Sequence, residues 1–212
     1  MAKPRVKARV PIQQRGIESR GKIIDAAMEL FAERGYHKTN ALEIAEHAGV
    51  ATGTFYSYFN NKKEVLVEGI KRFYQEVAGN VLTEQLAELQ SNGGDPSSDG
   101  RAIVRMMIRT LYSAHSHNPR LHREVDAMAL QDEEIGELIA AEQNKVVAFM
   151  TALMRNNAER LRPKDLEAAA FLVYRAAEEI IHRVRIIGTE IDGERLLAEL
   201  EDMICRYLIL PE

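Results

Sequence analysis

Residues 41–60 constrain the fold more than any other part of the chain. Two short stretches with apolar residues on one helical face, 41–48 and 52–59, flank a turn that contains Gly49. A tight turn between crossing helices often needs a residue with positive φ, and glycine meets that need without steric cost. The crossing point must also be small, and Ala45 stands there, four residues before Gly49. Ile44, Ala48, Val50 and Phe55 supply an apolar inner face. Asn40 is a good capping residue, and Glu43 lies three positions later, as a capping box requires. This pattern predicts a helix-turn-helix, with 52–59 as its second helix.

The flanking sequence is helical in period throughout. Ser19 is a candidate cap for a helix whose stripe is Ile23, Ala27, Leu30 and Phe31, ending at Gly35. A long helix is expected over residues 62–90, with Leu66, Ile70, Phe73, Val77 and Val81 on one face. The Gly-, Ser- and Asp-rich run 91–100 reads as a loop. Helical patterns resume over 101–116, from Asn118-Pro119, over 132–161, over 164–187 behind Pro163 as a first-turn proline, and over 194–210. No strand pattern, repeat or low-complexity tract is present. The expectation is an all-α chain of about nine helices.

Charge is unevenly spread. The whole chain carries −4, but residues 1–66 carry +4 and the remainder −8. The first 22 residues hold seven basic side chains against Glu18 alone. A basic arm on an acidic protein suggests a local contact with a polyanion, although a solubilising tail has the same composition. Cys205 is the sole cysteine, so no intrachain disulfide forms, and a reducing cytoplasmic setting is expected. No stretch approaches the length of a membrane span, and no secretory signal is expected.

The run from Ile44 through Thr52, Gly53, Thr54, Phe55, Tyr56, Ser57, Tyr58 and Phe59 to Lys62 and Leu66 resembles the TetR family of transcriptional regulators. The preceding helix, with Ala27, Leu30, Phe31 and Gly35, resembles that family's first helix. The likeness covers about residues 20–66; beyond them it rests on helix number and length. It implies a flexible arm (1–19), a three-helix DNA-binding domain (20–66), and a helical ligand-binding and dimerisation domain (67–212). Ala51 stands where many members have serine, Asn40 where threonine or serine is usual, Thr52 where lysine is frequent and Ser57 where tyrosine is common. These last two differences bear on base preference.

The helix 52–59 contains no Arg, Lys, Asn or Gln, so the usual bidentate pairs to guanine and adenine are absent from it. Readout is expected from the hydroxyls of Thr52 and Ser57, from Tyr56 against thymine methyls, and from close approach of the Gly53 backbone. The resemblance implies phosphate contacts from Thr39, Thr54, Tyr58 and Lys62, with Asn40 beside them at the start of its helix. Phe55 and Phe59 are expected in the core. Arg5, Arg9 or Arg15 of the arm would enter a neighbouring minor groove.

A two-fold dimer on a palindromic site is expected, because one recognition helix buries too little for tight binding. The last two helices offer the seam. Residues Leu166, Ala169, Ala170, Val173, Ala176, Ala177, Ile180, Ile181, Val184 and Ile187 form one apolar band. Leu196, Leu197, Leu200, Met203, Ile204, Tyr207 and Leu208 form another. The middle helices would enclose a cavity for a largely apolar small-molecule effector. Its candidate lining is Met106, Met107, Tyr112, His115, Met128, Phe149, Met150, Phe171 and Tyr174, with Glu178 as a polar group; ordinary core packing is the competing role for each. His115, His117 and His122 do not converge with helical spacing and lack a completing Cys or carboxylate pair, so no metal is expected. No cofactor loop or catalytic constellation is recognisable, so no enzyme activity is expected. The effector would favour a dimer whose recognition helices no longer match their half-sites, with the helix from Lys62 as lever. A ligand-independent DNA-binding protein that recruits a protein partner is the alternative.

Overall fold

The computed structural model describes residues 14–76, 100–116 and 118–211. Among them are nine α-helices: α1 (Gln14–Arg34), α2 (Ala41–His47), α3 (Thr52–Tyr58), α4 (Lys62–Gln75), α5 (Gly100–Ser116), α6 (Pro119–Gln131), α7 (Glu133–Arg155), α8 (Leu166–His182) and α9 (Gly193–Leu208). Only an isolated bridge between Leu161 and Ile209 has β character in these residues. The all-α expectation therefore holds. The expected continuation of α4 to residue 90, the loop 91–99, His117 and the arm residues 1–13 lie outside the described residues.

Two compact units form. The first comprises residues 14–73 together with Arg120–Leu138. The expected boundary after residue 66 thus differs from the packing, because α6 and the start of α7 group with the N-terminal helices. In α1, Ile23, Ala26, Ala27, Leu30 and Phe31 are buried, as the stripe predicts. Ser19 does not cap this helix; it lies inside it. Gly35 ends α1 with φ +87°, and its N–H donates to Phe31 O. Asn40 caps α2 through Leu42 N and Glu43 N, and the Glu43 carboxylate returns to Asn40 N at 2.9 Å, completing the capping box. At α4 a related pair forms: Glu64 N donates to Asn61 Oδ1, and the Glu64 carboxylate accepts from Asn60 N, one residue before the cap.

The second unit comprises the rest. Its core joins α5, the later part of α7, α8 and α9 through Val104, Ile108, Met150, Val173, Ala177, Ile181, Leu200 and Ile204. Pro163 does not open α8. Asp165 caps it instead, accepting from Ala168 N. Beyond His182 the helix widens into a π turn, Arg183–Ile187, that stops at Gly188 with φ +104°. Arg105 grips Glu201 through two guanidinium nitrogens, and these hydrogen bonds hold the Glu201 carboxyl below its ordinary range. This pair ties α5 to α9.

Candidate DNA-binding face and internal cavity

Helix α3 is short, uncapped by its Ala51 side chain and anchored by two rings. Phe55 is fully buried and Phe59 nearly so, with centroids 6.0 Å apart. Burying two aromatic side chains contributes several kcal/mol, roughly 1.5–3 kcal/mol each. That is enough to dock a helix too short to persist alone. Ala45 is buried beneath the crossing, and Gly49 completes the turn with φ +66°. With Phe55 and Phe59 turned inward, Gly53, Tyr56 and Ser57 face solvent, while Thr52, Thr54 and Tyr58 are half-buried. Tyr56 is 56% exposed and stands edge-on to Phe55. Ser57 Oγ donates to Thr54 O at 2.7 Å, so its free capacity is as an acceptor. A Cβ built on Gly53 meets no atom within 4 Å. The outer surface there is bare backbone that a groove wall can approach closely.

Two of the expected phosphate donors are turned inward. Thr39 is 1% exposed, and its hydroxyl donates to Gly35 O at 3.0 Å and Leu30 O at 3.4 Å. Its role is to close the α1–α2 turn, not to reach a phosphate. Lys62 Nζ donates to Tyr36 O and Thr39 O, each at 2.7 Å, and lies 4.3 Å from the Tyr36 ring centre. Burial lowers its pKa, with Glu43 opposing that shift. This ammonium is a bolt between α4 and the same turn. Asn40 remains exposed but spends its side-chain oxygen on its own helix. Lys38, which sequence reasoning passed over, is exposed in that turn. Only its position beside a predicted DNA-binding helix, and not its type, singles it out.

In the second unit a cavity of ≈ 590 Å³ lies among α5, α7, α8 and α9. Of the ten expected lining residues, Met107, Met150 and Tyr174 belong to it. The others do not. Tyr112 stacks under Arg185, whose Nη1 donates to its hydroxyl at 3.3 Å. His115 is buried with Nδ1 2.9 Å from Leu111 O. Glu178 pairs with Arg175 and accepts from Gln143 outside the cavity. Met128 lies in the first unit. Phe171 is 49% exposed, and Met106 and Phe149 are half-buried away from the walls. The walls are mainly aliphatic: Ile103, Val104, Ile108 and Leu111 on α5, Val146, Leu153 and Met154 on α7, and Val173 and Ala177 on α8. Their helical spacing was legible. Its assignment to a cavity wall was not, because a stripe facing a void and a stripe facing a solid core have the same period. Burial raises the Tyr174 pKa well above its ordinary value, with Glu178 adding to the shift, so this phenol stays protonated. Among the described residues, no group of three His, Cys, Asp or Glu side chains has the arrangement of a metal site.

Four exposed apolar residues of this unit lie on α8 and α9, while Ile187, Ile191 and Leu210 lie outside these helices. Phe171, Leu172, Met203 and Tyr207 are each at least 42% exposed. Ala169, Ala170 and Ala177, which belong to the apolar band expected at the seam, are buried within the protomer's own core.

Comparison with known proteins matches residues 23–68 to "Bacterial regulatory proteins, tetR family" and residues 101–208 to "Tetracyclin repressor-like, C-terminal domain". The HTH-type transcriptional regulator YdgC of Bacillus subtilis (strain 168) is 37% identical over 95% of this chain and 97% of its own. The fatty acid metabolism regulator protein of the same organism is 52% identical over 50 residues, 24% of this chain and 26% of that one. Against several curated relatives the chain spans about half of their length or less. Among solved structures, SmeT, the repressor of the Stenotrophomonas maltophilia multidrug efflux pump SmeDEF, superposes with a TM-score of 0.62 at 24% identity, over 91% of this chain and 93% of that one.

Proposed function

The chain belongs to the TetR family of bacterial regulatory proteins, and from that premise we propose that it is a cytoplasmic repressor, released from a palindromic operator when a largely apolar small molecule enters its cavity. Membership makes it a transcriptional regulator and not an enzyme. The observation that carries the DNA-binding part is the presentation of α3: Phe55 and Phe59 pin it, and Gly53, Tyr56 and Ser57 stand free on its outer side. Tyr56 would pack on thymine methyls, Ser57 would accept from an exocyclic amine, and Gly53 would let the groove wall approach. Thr52, Thr54 and Tyr58 would flank them on base edges and phosphates, and Lys38 would take the cationic role expected of Lys62. The exposed apolar residues of α8 and α9 would form the seam of a homodimer, as a two-fold operator needs.

The cavity supports a ligand-responsive reading over one in which the second unit only recruits a protein partner, since a solid core would serve that partner as well. Helix α7 offers a route for the signal. Its first residues pack in the DNA-binding unit, and its later residues line the cavity. An effector that displaces α7 would therefore bias the α1–α2 turn through α6. The test is binding of the purified protein to DNA upstream of its own gene and its neighbours, repeated with a metabolite panel. Salt-sensitive, site-specific binding that one apolar metabolite abolishes is expected. Absence of specific binding to any such fragment would overturn the reading.

A further inference from the structure

The π turn at the end of α8 carries a guanidinium without a counterion. Ile181 and Ile186 are both buried, a five-residue spacing that suits the wider turn Arg183–Ile187. In a continued α-helix the fourth residue, Arg185, would share the face of Ile181. The π turn lets Ile186 fill the core instead and leaves Arg185 over α5. The Arg185 guanidinium carbon lies 4.9 Å from the centre of the Tyr112 ring, and Nη1 donates to the Tyr112 hydroxyl at 3.3 Å. His115, on the same helix as Tyr112, is buried and meets His182 edge to face, with ring centres 6.3 Å apart. All four residues belong to the second unit, and none of them lines the cavity. Among the described residues Arg185 forms no ion pair. The nearby acids of α8 are spent elsewhere, Glu178 on Arg175 and Gln143, and Glu179 on Arg183. Arg185 Nε is shut off from solvent and has no hydrogen-bond partner, alone in this among the described side-chain nitrogens and oxygens. A buried donor left unmade is costly, more so on a charged group, and it marks the place of a missing acceptor.

We infer that Arg185, held by Tyr112 and flanked by His115 and His182, is a binding site for a small oxyanion, separate from the cavity. Tyr112 occupies one face of the guanidinium and the Nη1 corner. The edge that remains, Nε with Nη2, is the fork that receives two oxygens of one carboxylate or phosphate group in its own plane. A point charge such as chloride cannot engage both arms, so the fork selects an oxyanion. The Tyr112 ring and the two imidazoles crowd the surroundings, which favours a small occupant. Arg185 as a residue is half-buried, so the fork is within a side-chain rotation of solvent. An anion seated there would supply the counterion that α8 lacks and tie its last turn to α5 through Tyr112. This second ligand does not depend on the effector reading above, which concerns the cavity.

The test replaces sodium chloride stepwise by sodium acetate, or by inorganic phosphate, at constant ionic strength around the full chain. The thermal midpoint and calorimetric heats are followed together. A saturable rise in midpoint is expected with at least one of the two, and the one that saturates at lower concentration identifies the source as a carboxylate or a phosphate. Arg185→Lys keeps the charge and loses the fork, so binding is expected to weaken about tenfold. Arg185→Met keeps the length and loses both, so the saturable rise is expected to vanish. A purely structural arginine would behave differently, since its loss would lower the midpoint by the same amount in every buffer. Here the Arg185→Met midpoint is expected to match the parent's in chloride, where the parent holds an uncompensated charge, and to fall below it once acetate or phosphate saturates the parent. No saturable rise with either oxyanion overturns the inference, as does the same rise in Arg185→Met. Equal binding by Arg185→Lys overturns the two-armed geometry.

Discussion

The Glu124 carboxylate of α6 accepts the Tyr36 backbone N–H at 2.9 Å, and so fastens the α1–α2 turn to a helix that lies far from it in sequence. The same turn is held from the other side by Lys62 and closed from within by Thr39. Glu124→Ala leaves the Tyr36 amide without its charged acceptor. Because the site is only part-buried, the expected loss is about 1 kcal/mol, below the usual range for a hydrogen bond to a charged group. Operator affinity is expected to fall further than stability alone explains, since the turn sets where α2 begins. Urea denaturation and a DNA titration on the same variant check this. An unchanged operator affinity would contradict the role of the turn.

Lys62 takes a structural part where the resemblance implies a phosphate contact, and Lys38, for which the sequence suggests no part, is exposed in the same turn. Lys62 makes two hydrogen bonds of 2.7 Å to backbone carbonyls, and an ammonium so placed is poor at neutralising a phosphate. Lys62→Met is expected to cost about 1 kcal/mol of stability, discounted for partial exposure, with little change in the salt dependence of DNA binding. Lys38→Ala is expected to leave stability unchanged and to reduce the slope of log affinity against log salt by about 1. Salt titrations of both variants decide the matter.

Gly53 and Gly49 are both glycines of the helix-turn-helix, yet they carry different constraints. Gly49 has φ +66°, so Gly49→Ala costs on the order of 1 kcal/mol in backbone strain. Gly53 is helical and faces open space. Gly53→Val is expected to fold with a midpoint close to that of the parent, and to lose operator affinity at least tenfold because its side chain occupies the space the groove wall needs. Thermal unfolding followed by circular dichroism, with DNA binding beside it, separates the two outcomes.

These positions also show what the sequence makes legible. Caps, glycine turns and apolar stripes are local, so the helix-turn-helix can be read from residues 20–66, including the Asn40–Glu43 box. Inward-facing Phe55 and Phe59 follow from the 3.6-residue period. The direction of a polar side chain at the edge of a unit is not local. Thr39 and Lys62 are polar residues beside a DNA-binding helix, and only the carbonyls of Leu30, Gly35, Tyr36 and Thr39 reveal that they point inward. The grouping of α6 with the first unit depends on Glu124, Asp132 and Lys63, which are remote in sequence. The cavity rewards aliphatic residues on four helices, whereas composition directs attention to methionine and aromatic side chains. Residues 209–211, which follow the last helical stripe and also line the cavity, carry no periodic signal.

Lys63 and Asp132 supply a pH-dependent tie between α4 and the α6–α7 corner. Nζ lies 2.7 Å from Asp132 Oδ2 and 2.7 Å from Glu134 Oε2. The hydrogen bond from Lys63 holds the Asp132 carboxyl below its ordinary value, and donating to Asp132 raises the Lys63 pKa. A depressed carboxyl contributes stability above its unfolded pKa and loses it as pH falls through the folded value, so this part fades below about pH 4. A raised ammonium contributes stability below its unfolded pKa and loses it as pH rises through the folded value, so that part fades above about pH 10. Both groups are partly exposed, and solvent screening keeps the effect modest. The stability difference between parent and Asp132→Asn is expected to be constant between these limits and to shrink at both ends. A difference that grows in acid would refute the assignment.

The outer apolar face of α8 and α9 sets the final expectation. Leu172 is 57% exposed and Met203 51% exposed, with Phe171 and Tyr207 beside them on the same two helices. Four large side chains held in water are unfavourable by roughly 25 cal/mol for each Å² that a partner would cover. A second copy presenting the same face would satisfy them through a two-fold axis, as the proposed homodimer requires. Leu172→Arg places a like charge on both copies at that seam without touching the protomer core, since Ala169, Ala170 and Val173 face the other way. The variant is expected to remain helical, to sediment as a monomer where the parent is expected to sediment as a dimer, and to bind a half-site no more weakly than before. Its affinity for a full palindromic operator is expected to fall at least a hundredfold, because two recognition helices no longer arrive together. A dimer that survives this substitution would move the seam elsewhere on the second unit.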